Sequence, residues 1–269
     1  MKKKFLLLLV AALPMVFASC GDDNEEPIDP VNISLGVSAF DVNYNADYQL
    51  ECNIDGATFT SSDPFVATVD QSGKVTGKHV GQAKIKASYD GYSVQATVNV
   101  LPTNTDFEMP ILSWGASMNR IKSLVEANPD MQPAEVNDDN ALGYTTNGLL
   151  PGYSYNFVSD KLTAATMTVT SKQDEDGNLY GYLLQYYKEY GEDSDTGAIY
   201  LCDAESVTNA SVVLEYGIDI TPTTDWNDPN YLVIWRENSS TKTRATGAPE
   251  RTDFDAFRAA AREVAASCK

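Results

Sequence analysis

Histidine is almost missing from this chain: His79 stands alone among 269 residues. A nucleophile–histidine–acid triad needs an imidazole within hydrogen-bond reach. Catalytic zinc usually takes two or three His or carboxylate ligands at set spacing, and no His-x-x-x-His occurs. Glycine-rich phosphate loops of the GxxxxGK[ST] or GxGxxG type are absent too, so no nucleotide cofactor is expected. Cysteine is sparse, and Cys20, Cys52, Cys202 and Cys268 match no CxxC metal pattern. Positive charge is scarce: 19 Lys and Arg against 38 Asp and Glu give a formal net charge of −19. Such a field repels nucleic acid and anionic lipid head groups, so neither is an expected partner. It also serves solubility at a crowded surface. The apolar run Phe5–Leu13 is too short to span a bilayer.

That run has its own meaning. Lys2, Lys3 and Lys4 precede it, and Phe17-Ala18-Ser19-Cys20 ends it, which is the plan of a secretory signal peptide over residues 1–19. It resembles the signal of bacterial lipoproteins, which implies Cys20 as the lipidated residue and an outer-membrane anchor. Phe17 stands where that family more often has Leu. Residues 1–19 carry three lysines and no acid, so their removal leaves a charge of −22. Residues 20–32 open with Gly21-Asp22-Asp23-Asn24-Glu25-Glu26 and contain Pro27 and Pro30, the composition of a disordered tether. The acids also resemble the surface-export signal of Bacteroides-type lipoproteins, which implies an outward-facing protein; a plain spacer is the alternative. Of the remaining thiols, Cys202–Cys268 is a chemically allowed bridge outside the cytoplasm. Three free thiols, Cys52, Cys202 and Cys268, are the plainer reading.

Residues 33–101 show short alternating strands with turn signals and no helical period. Phe40–Tyr44, Tyr48–Ile54, Ala83–Ser88 and Tyr92–Val100 alternate, while Asp70-Gln-Ser-Gly73 and Asp90-Gly91 supply turns. This predicts a β-sandwich. The stretch Phe59-Thr-Ser-Ser-Asp-Pro-Phe-Val-Ala-Thr-Val-Asp-Gln-Ser-Gly-Lys-Val-Thr-Gly77, with Val80–Ala87, resembles the bacterial immunoglobulin-like group 2 family. Phe59 replaces the usual Trp and keeps an aromatic. The resemblance implies an all-β immunoglobulin-like domain serving as a spacer, or as an adhesion module. His79 is expected in a solvated loop.

Residues 103–237 read as an α+β domain. Ser117 caps a helix with Met118, Ile121, Leu124 and Val125, stopped by Asn128-Pro129. Strands follow at Ala141–Thr145, Tyr153–Val158 and Leu162–Thr170. Leu179, Tyr182, Leu183, Tyr186, Tyr187 and Tyr190 hold helical spacing, with Gly191 placed to end a second helix. Ala198–Cys202, Ala210–Ile220 and Tyr231–Arg236 complete the order. The expectation is two αβββ units, an internal duplication, with both helices on one face of an antiparallel sheet. In topology this is similar to the β-lactamase-inhibitor-protein and outer-membrane-assembly-lipoprotein folds.

Residues 238–251 have linker composition. Residues 252–269 are expected to form a last, amphipathic helix with a stripe of Phe254, Phe257, Ala261, Val264 and Cys268. It docks on its own domain or is handed to another protein. A carboxylate pair could come from acids in predicted turns (Glu135, Asp138, Asp139, Asp174, Glu175, Asp176, Glu192, Asp193 and Asp195), but loop acids are mostly solvated. Asp174-Glu-Asp-Gly177 has the wrong register for a calcium loop, so no metal is assigned. Trp226, in the polar loop Asp225–Pro229, is the foremost aromatic candidate for ligand stacking, with Tyr153 and Trp235 on strands. The expectation is a lipid-anchored envelope protein, not an enzyme, whose second domain binds a glycan or a protein. A structural part in an outer-membrane assembly is the alternative, and a small glycosidase the third.

Overall fold

The computed structural model describes residues 32–136, 138–146, 149–218 and 230–238. The leader, the tether with Cys20, Trp226, Cys268 and the expected last helix lie outside the described residues. No described helix is long and apolar enough to cross a membrane.

The first core is a two-sheet sandwich. Its strands are β1 (Ala39–Asn43), β2 (Asp47–Gln49), β3 (Thr58–Ser61), β4 (Ala67–Val69), β5 (Lys74–Gly77), β6 (Gly81–Tyr89) and β7 (Tyr92–Leu101). One sheet runs β1-β7-β6-β3 and the other β2-β5-β4. Strict alternation buries Ala83, Ile85 and Ala87 from β6 against Val98 and Val100 from β7. Phe59 fills the aromatic position, 6% exposed. The Asp70–Gly73 turn is closed by the Asp70 carboxylate, which accepts from Ser72 N at 2.8 Å and Lys74 N at 3.1 Å. Gly73 at φ +83° is obligatory there, because a Cβ would sit 2.3 Å from Leu50 O. His79 is not solvated: it stacks on Phe65 with centroids 3.8 Å apart, and its Nδ1 lies 2.7 Å from Phe65 O.

The second core lies under one eight-stranded antiparallel sheet. Helix α1 (Met118–Val125) precedes β8 (Met131–Ala134), β9 (Ala141–Thr146), β10 (Leu149–Val158) and β11 (Lys161–Thr170). Helix α2 (Asn178–Leu184) precedes β12 (Lys188–Glu192), β13 (Ile199–Cys202), β14 (Val212–Ile218) and β15 (Asn230–Glu237). The order β12-β13-β14-β15-β11-β10-β9-β8 shows two four-stranded meanders joined by their last strands. The repeat is therefore αββββ, one strand longer per half than expected. Strand β8 is a short edge strand containing Pro133, a poor strand signal. Strand β12 occupies residues assigned to the second helix. That helix stops at Leu184, and Lys188–Glu192 pairs with β13, with a register shift at Gly191. The tyrosine spacing fits a helix, but sheet hydrogen bonds take the segment.

The first helix matches its sequence signal. Ser117 accepts from Arg120 N at 3.3 Å, and Asp160, in the hairpin turn between β10 and β11, accepts from Met118 N at 2.9 Å. Both helices bury their apolar residues against the same sheet face: Ile121, Val125, Leu179, Tyr182 and Leu183 share a core with Tyr153, Tyr155, Met167, Val233 and Trp235. The opposite face carries the alternate residues. Register places Gly143, Ser154, Thr166, Ile234, Glu215 and Tyr200 in one row across six strands. Thr166 is 0%, Ser154 1%, Ile234 1% and Glu215 3% exposed, so this face is as dry as the helix-covered one.

The two cores meet at Gln185, just after α2. Its side-chain oxygen accepts from Thr103 N at 2.6 Å and Asn104 N at 3.0 Å, its amide donates to Asn104 O at 3.0 Å, and its backbone carbonyl accepts from Val80 N at 2.6 Å. The stretch after Pro102 is therefore clamped rather than loose. Asn238, expected to open a linker, is buried, and donates its amide to Val207 O at 2.6 Å and Ala210 O at 3.0 Å. Replacing Gln185 by Ala removes the acceptor of two backbone donors, on exposed Thr103 and half-buried Asn104, at about 0.5–1.5 kcal/mol per hydrogen bond. Calorimetry of Gln185→Ala is expected to lower the Tm and separate the transitions of the two cores; an unchanged thermogram would contradict the clamp.

Candidate binding surface

Two of the aromatic residues singled out in the sequence are interior. Tyr153 is 1% exposed and its hydroxyl donates to Glu108 O at 3.0 Å. Trp235 is 0% exposed and its indole Nε1 donates to Tyr187 Oη at 3.0 Å; Tyr187 Oη in turn contacts Met109 Sδ at 3.4 Å. Both are anchors of the helix-side core, and neither ring offers a face to solvent. Together with Tyr155, which accepts from Ile111 N at 3.3 Å, they hold the segment before α1 on the sheet. Trp226 lies outside the described residues, in the connection from Ile218 to Asn230.

At the base of that connection stands a row of tyrosines that periodicity alone did not mark. Tyr180 from α2 stacks on Tyr216 of β14, centroids 5.5 Å apart and planes 21° apart. Tyr216 stacks on Tyr231 of β15 at 6.1 Å and 12°. All three are half-buried, and Ile218, paired in register with Tyr231, is exposed. Tyr180 Oη donates to Glu189 at 2.6 Å. Burial, then the Glu189 hydrogen bond and charge, pushes the Tyr180 phenol up to about 12. Burial, then the Asp174 carboxylate, holds Tyr216 above the ordinary phenol range as well. The row thus presents flat, neutral rings with phenol and carboxylate groups beside them, a surface suited to an apolar ligand face carrying hydroxyls. The signal lay in Tyr216 and Ile218 sharing a strand face, but their meeting with Tyr180 depends on tertiary packing.

Other features offer less. A cleft of about 80 Å³ lined by Glu108, Met109, Leu124, Met131, Tyr153 and Tyr155 is well below the ~300 Å³ and above of typical ligand pockets. The loop acids serve local geometry. Asp174 is buried and accepts from Leu179 N at 2.7 Å, capping α2 in place of a side chain at Gly177. Asp138 closes its turn on Asn140 N at 2.8 Å, and Asp193 on Asp195 N at 2.9 Å. Glu135, Asp139, Glu175, Asp176 and Glu192 are exposed. Among the described residues no cluster of three or more His, Cys, Asp or Glu could hold a metal ion. Cys202 is a buried free thiol whose Sγ lies 3.4 Å from Ala204 O, and Cys52 is a half-buried free thiol.

The Asp70–Gly73 turn, the buried Phe59 and the sandwich core from Leu50 onward fall in residues with a known counterpart. Residues 49–100 match the bacterial Ig-like domain (group 2). The match covers less than half of the chain, so it identifies this domain and leaves the second core to be argued from its own geometry. No curated protein matches the chain. Among solved structures it is similar to an intimin mutant from EHEC O157:H7 (14% identity, TM-score 0.22, covering 48% of this chain and 85% of that one). It is also similar to domains 5–6 of the S-layer protein SbsC (14% identity, TM-score 0.23, covering 78% and 85%) and to human protocadherin-24 EC1-2 (11% identity, TM-score 0.24, covering 69% and 84%). Superpositions at these scores carry no argument about function. The group 2 Ig-like domain occupies the amino-terminal core, and the tyrosine row belongs to the α+β domain.

The tyrosines also set an alkaline limit. Burial raises Tyr155 and Tyr180 to about 12, and Tyr153, Tyr182 and Tyr187 higher still, against about 10 in an unfolded chain. The native state then keeps protons that the unfolded state releases, so the tyrosine contribution to stability is constant below about pH 10 and falls as pH rises toward 12. Denaturant midpoints measured across this range, with tyrosinate absorbance, are expected to fall above about pH 10. A flat midpoint to pH 12 would contradict it.

Proposed function

We propose that the chain is a lipid-anchored envelope protein facing the cell exterior, with the Ig-like domain as spacer and the α+β domain as a non-catalytic binding head for a glycan or protein. The half-buried Tyr180–Tyr216–Tyr231 row is the observation that carries this reading. Core aromatics are enclosed, as Tyr153 and Trp235 are; a stacked row left partly open beside a carboxylate is what a saccharide face or an aromatic-rich partner uses. The Gln185 clamp supports the spacer role, since it fixes the head to the sandwich and transmits its stand-off from the membrane. The turn-closing acids support a binding rather than a hydrolytic role.

One observation favours the other reading, a component of an outer-membrane protein assembly. The duplicated helix-plus-sheet plan, with both helices on one face of one antiparallel sheet, supports it, although each half has one strand more than the αβββ unit on which the resemblance was read. A thermal-shift panel of glycans on the chain lacking residues 1–19 separates the two. A ligand at 100 times its Kd adds about 2.7 kcal/mol, a Tm rise of several degrees. The expected result is a rise with one glycan class that is lost in Tyr231→Ala. No rise with any glycan, together with co-purification of a membrane complex through Cys20, would move the assignment to the assembly.

A further inference from the structure

The eight-stranded sheet is dry on both sides, yet both described helices lie on one of them. The β9–β11 part of the other face is floored by small residues: Ala141, Gly143, Gly152 and Ala164 fall beside Asn156, Ser154, Thr168 and Thr166 in the cross-strand register, while Ile234, Leu232, Glu215 and Tyr200 continue the face over β13–β15. Thr166 and Ala164 are 0%, Thr168 2% and Leu232 3% exposed. Among the described residues, Ser154 Oγ, Asn156 Oδ1 and Thr166 Oγ1 stand apart on this face, buried without a hydrogen-bond partner. Polar groups shut from water in this way lie under an apolar stretch of cover, because a polar stretch would pair with them; Glu215 and Arg236, farther along the same face, have interaction partners.

We propose that the cover is the chain's own carboxyl-terminal segment, residues 252–269, laid across the second face by its Phe254, Phe257, Ala261 and Val264 stripe. Three arguments single it out. The 219–229 connection is polar and breaker-rich, with Ile220 and Trp226 as its only large apolar side chains, and the 239–251 stretch is polar too, so neither supplies an apolar face. The other apolar run, Phe5–Leu13, belongs to the expected leader. Dimensions agree as well. Eighteen helical residues extend about 27 Å, and the row from Gly143 to Tyr200 crosses six strands, about 24 Å at the usual spacing. From Asn238, beside the middle of the sheet, 13 residues of linker reach up to ~40 Å, enough to start the helix at either edge. Small floor residues let a helix axis approach closely, and the bulky Phe rings fill the dips that glycine and alanine leave.

The test reads solvent access to the floor in the full chain. Ser154→Cys, a near-isosteric change, supplies a thiol within the row, one strand in from Gly143. Buried Cys202 lies on the same face but on β13, where Ala204, Val207 and Ala210 of the following loop enclose it, so it reports whether the sheet itself stays folded. Labelling by a small thiol reagent is followed by peptide mass spectrometry, and light scattering gives the oligomeric state. The expected result is a monomer in which the thiol at position 154 is protected. Phe254→Ser with Phe257→Ser then raises its labelling rate at least tenfold while Cys202 stays protected. Should Cys202 label in step, the milder Phe257→Ala is read against the same outcomes. Equal rates with and without the stripe would overturn the proposal. Protection that disappears on dilution to monomer would also overturn it, because a second copy would then be the cover.

Discussion

The pairing of β11 with β15 is the contact on which the α+β domain depends. Seven residue pairs, from Ala164–Arg236 to Thr170–Asn230, join two four-stranded meanders into one sheet. Without that seam each meander would have two open edges and one short helix, too little apolar surface for an independent core. With it, α1 and α2 share a core centred on Met167, Val233 and Trp235. Trp235 lies on the seam, opposite Ala165, and its bond to Tyr187 continues through Met109 to the segment before α1. Both repeats and the leading strap converge on one indole. Removing it would cost about 3–5 kcal/mol by the usual scale for a buried Trp.

The functional arrangement follows from this seam. Two helices on one face leave the strand ends at Ile218 and Asn230 beside the start of α2, where Tyr180, Tyr216 and Tyr231 stack. The end of α2 supplies Gln185, which ties the head to the Ig-like domain. One seven-residue helix therefore carries the candidate surface at one end and the junction with the Ig-like domain at the other.

Much of this was legible in the residues, and the exceptions have physical causes. Turn chemistry at Asp70–Gly73 and alternation through Ala83–Ser88 marked the sandwich, and Ser117 with Asn128-Pro129 marked α1, because caps and turns are local signals. Residues 188–192 misled, since tyrosines spaced for a helix also suit a half-buried strand, and the choice is made by the distant partner β13. Strand β8 was hidden by Pro133 and its length of four residues. Tyr153 and Trp235 could not be placed inside or outside, as alternation names two faces without saying which is covered. Here both faces are. His79 was read as solvated because its cover, Phe65, comes from another loop. The tyrosine row escaped for the same reason: its members are 36 and 15 residues apart and meet only through the seam.

Native-state hydrogen exchange on the chain and on Trp235→Phe tests the seam most directly. If the two meanders form one cooperative sheet, the slowest amides of β9–β10 and of β13–β14 open with the same free energy. The substitution then lowers both by the same amount. Loss of protection confined to β12–β15, with β9–β10 unchanged, would show two independent halves and contradict the account.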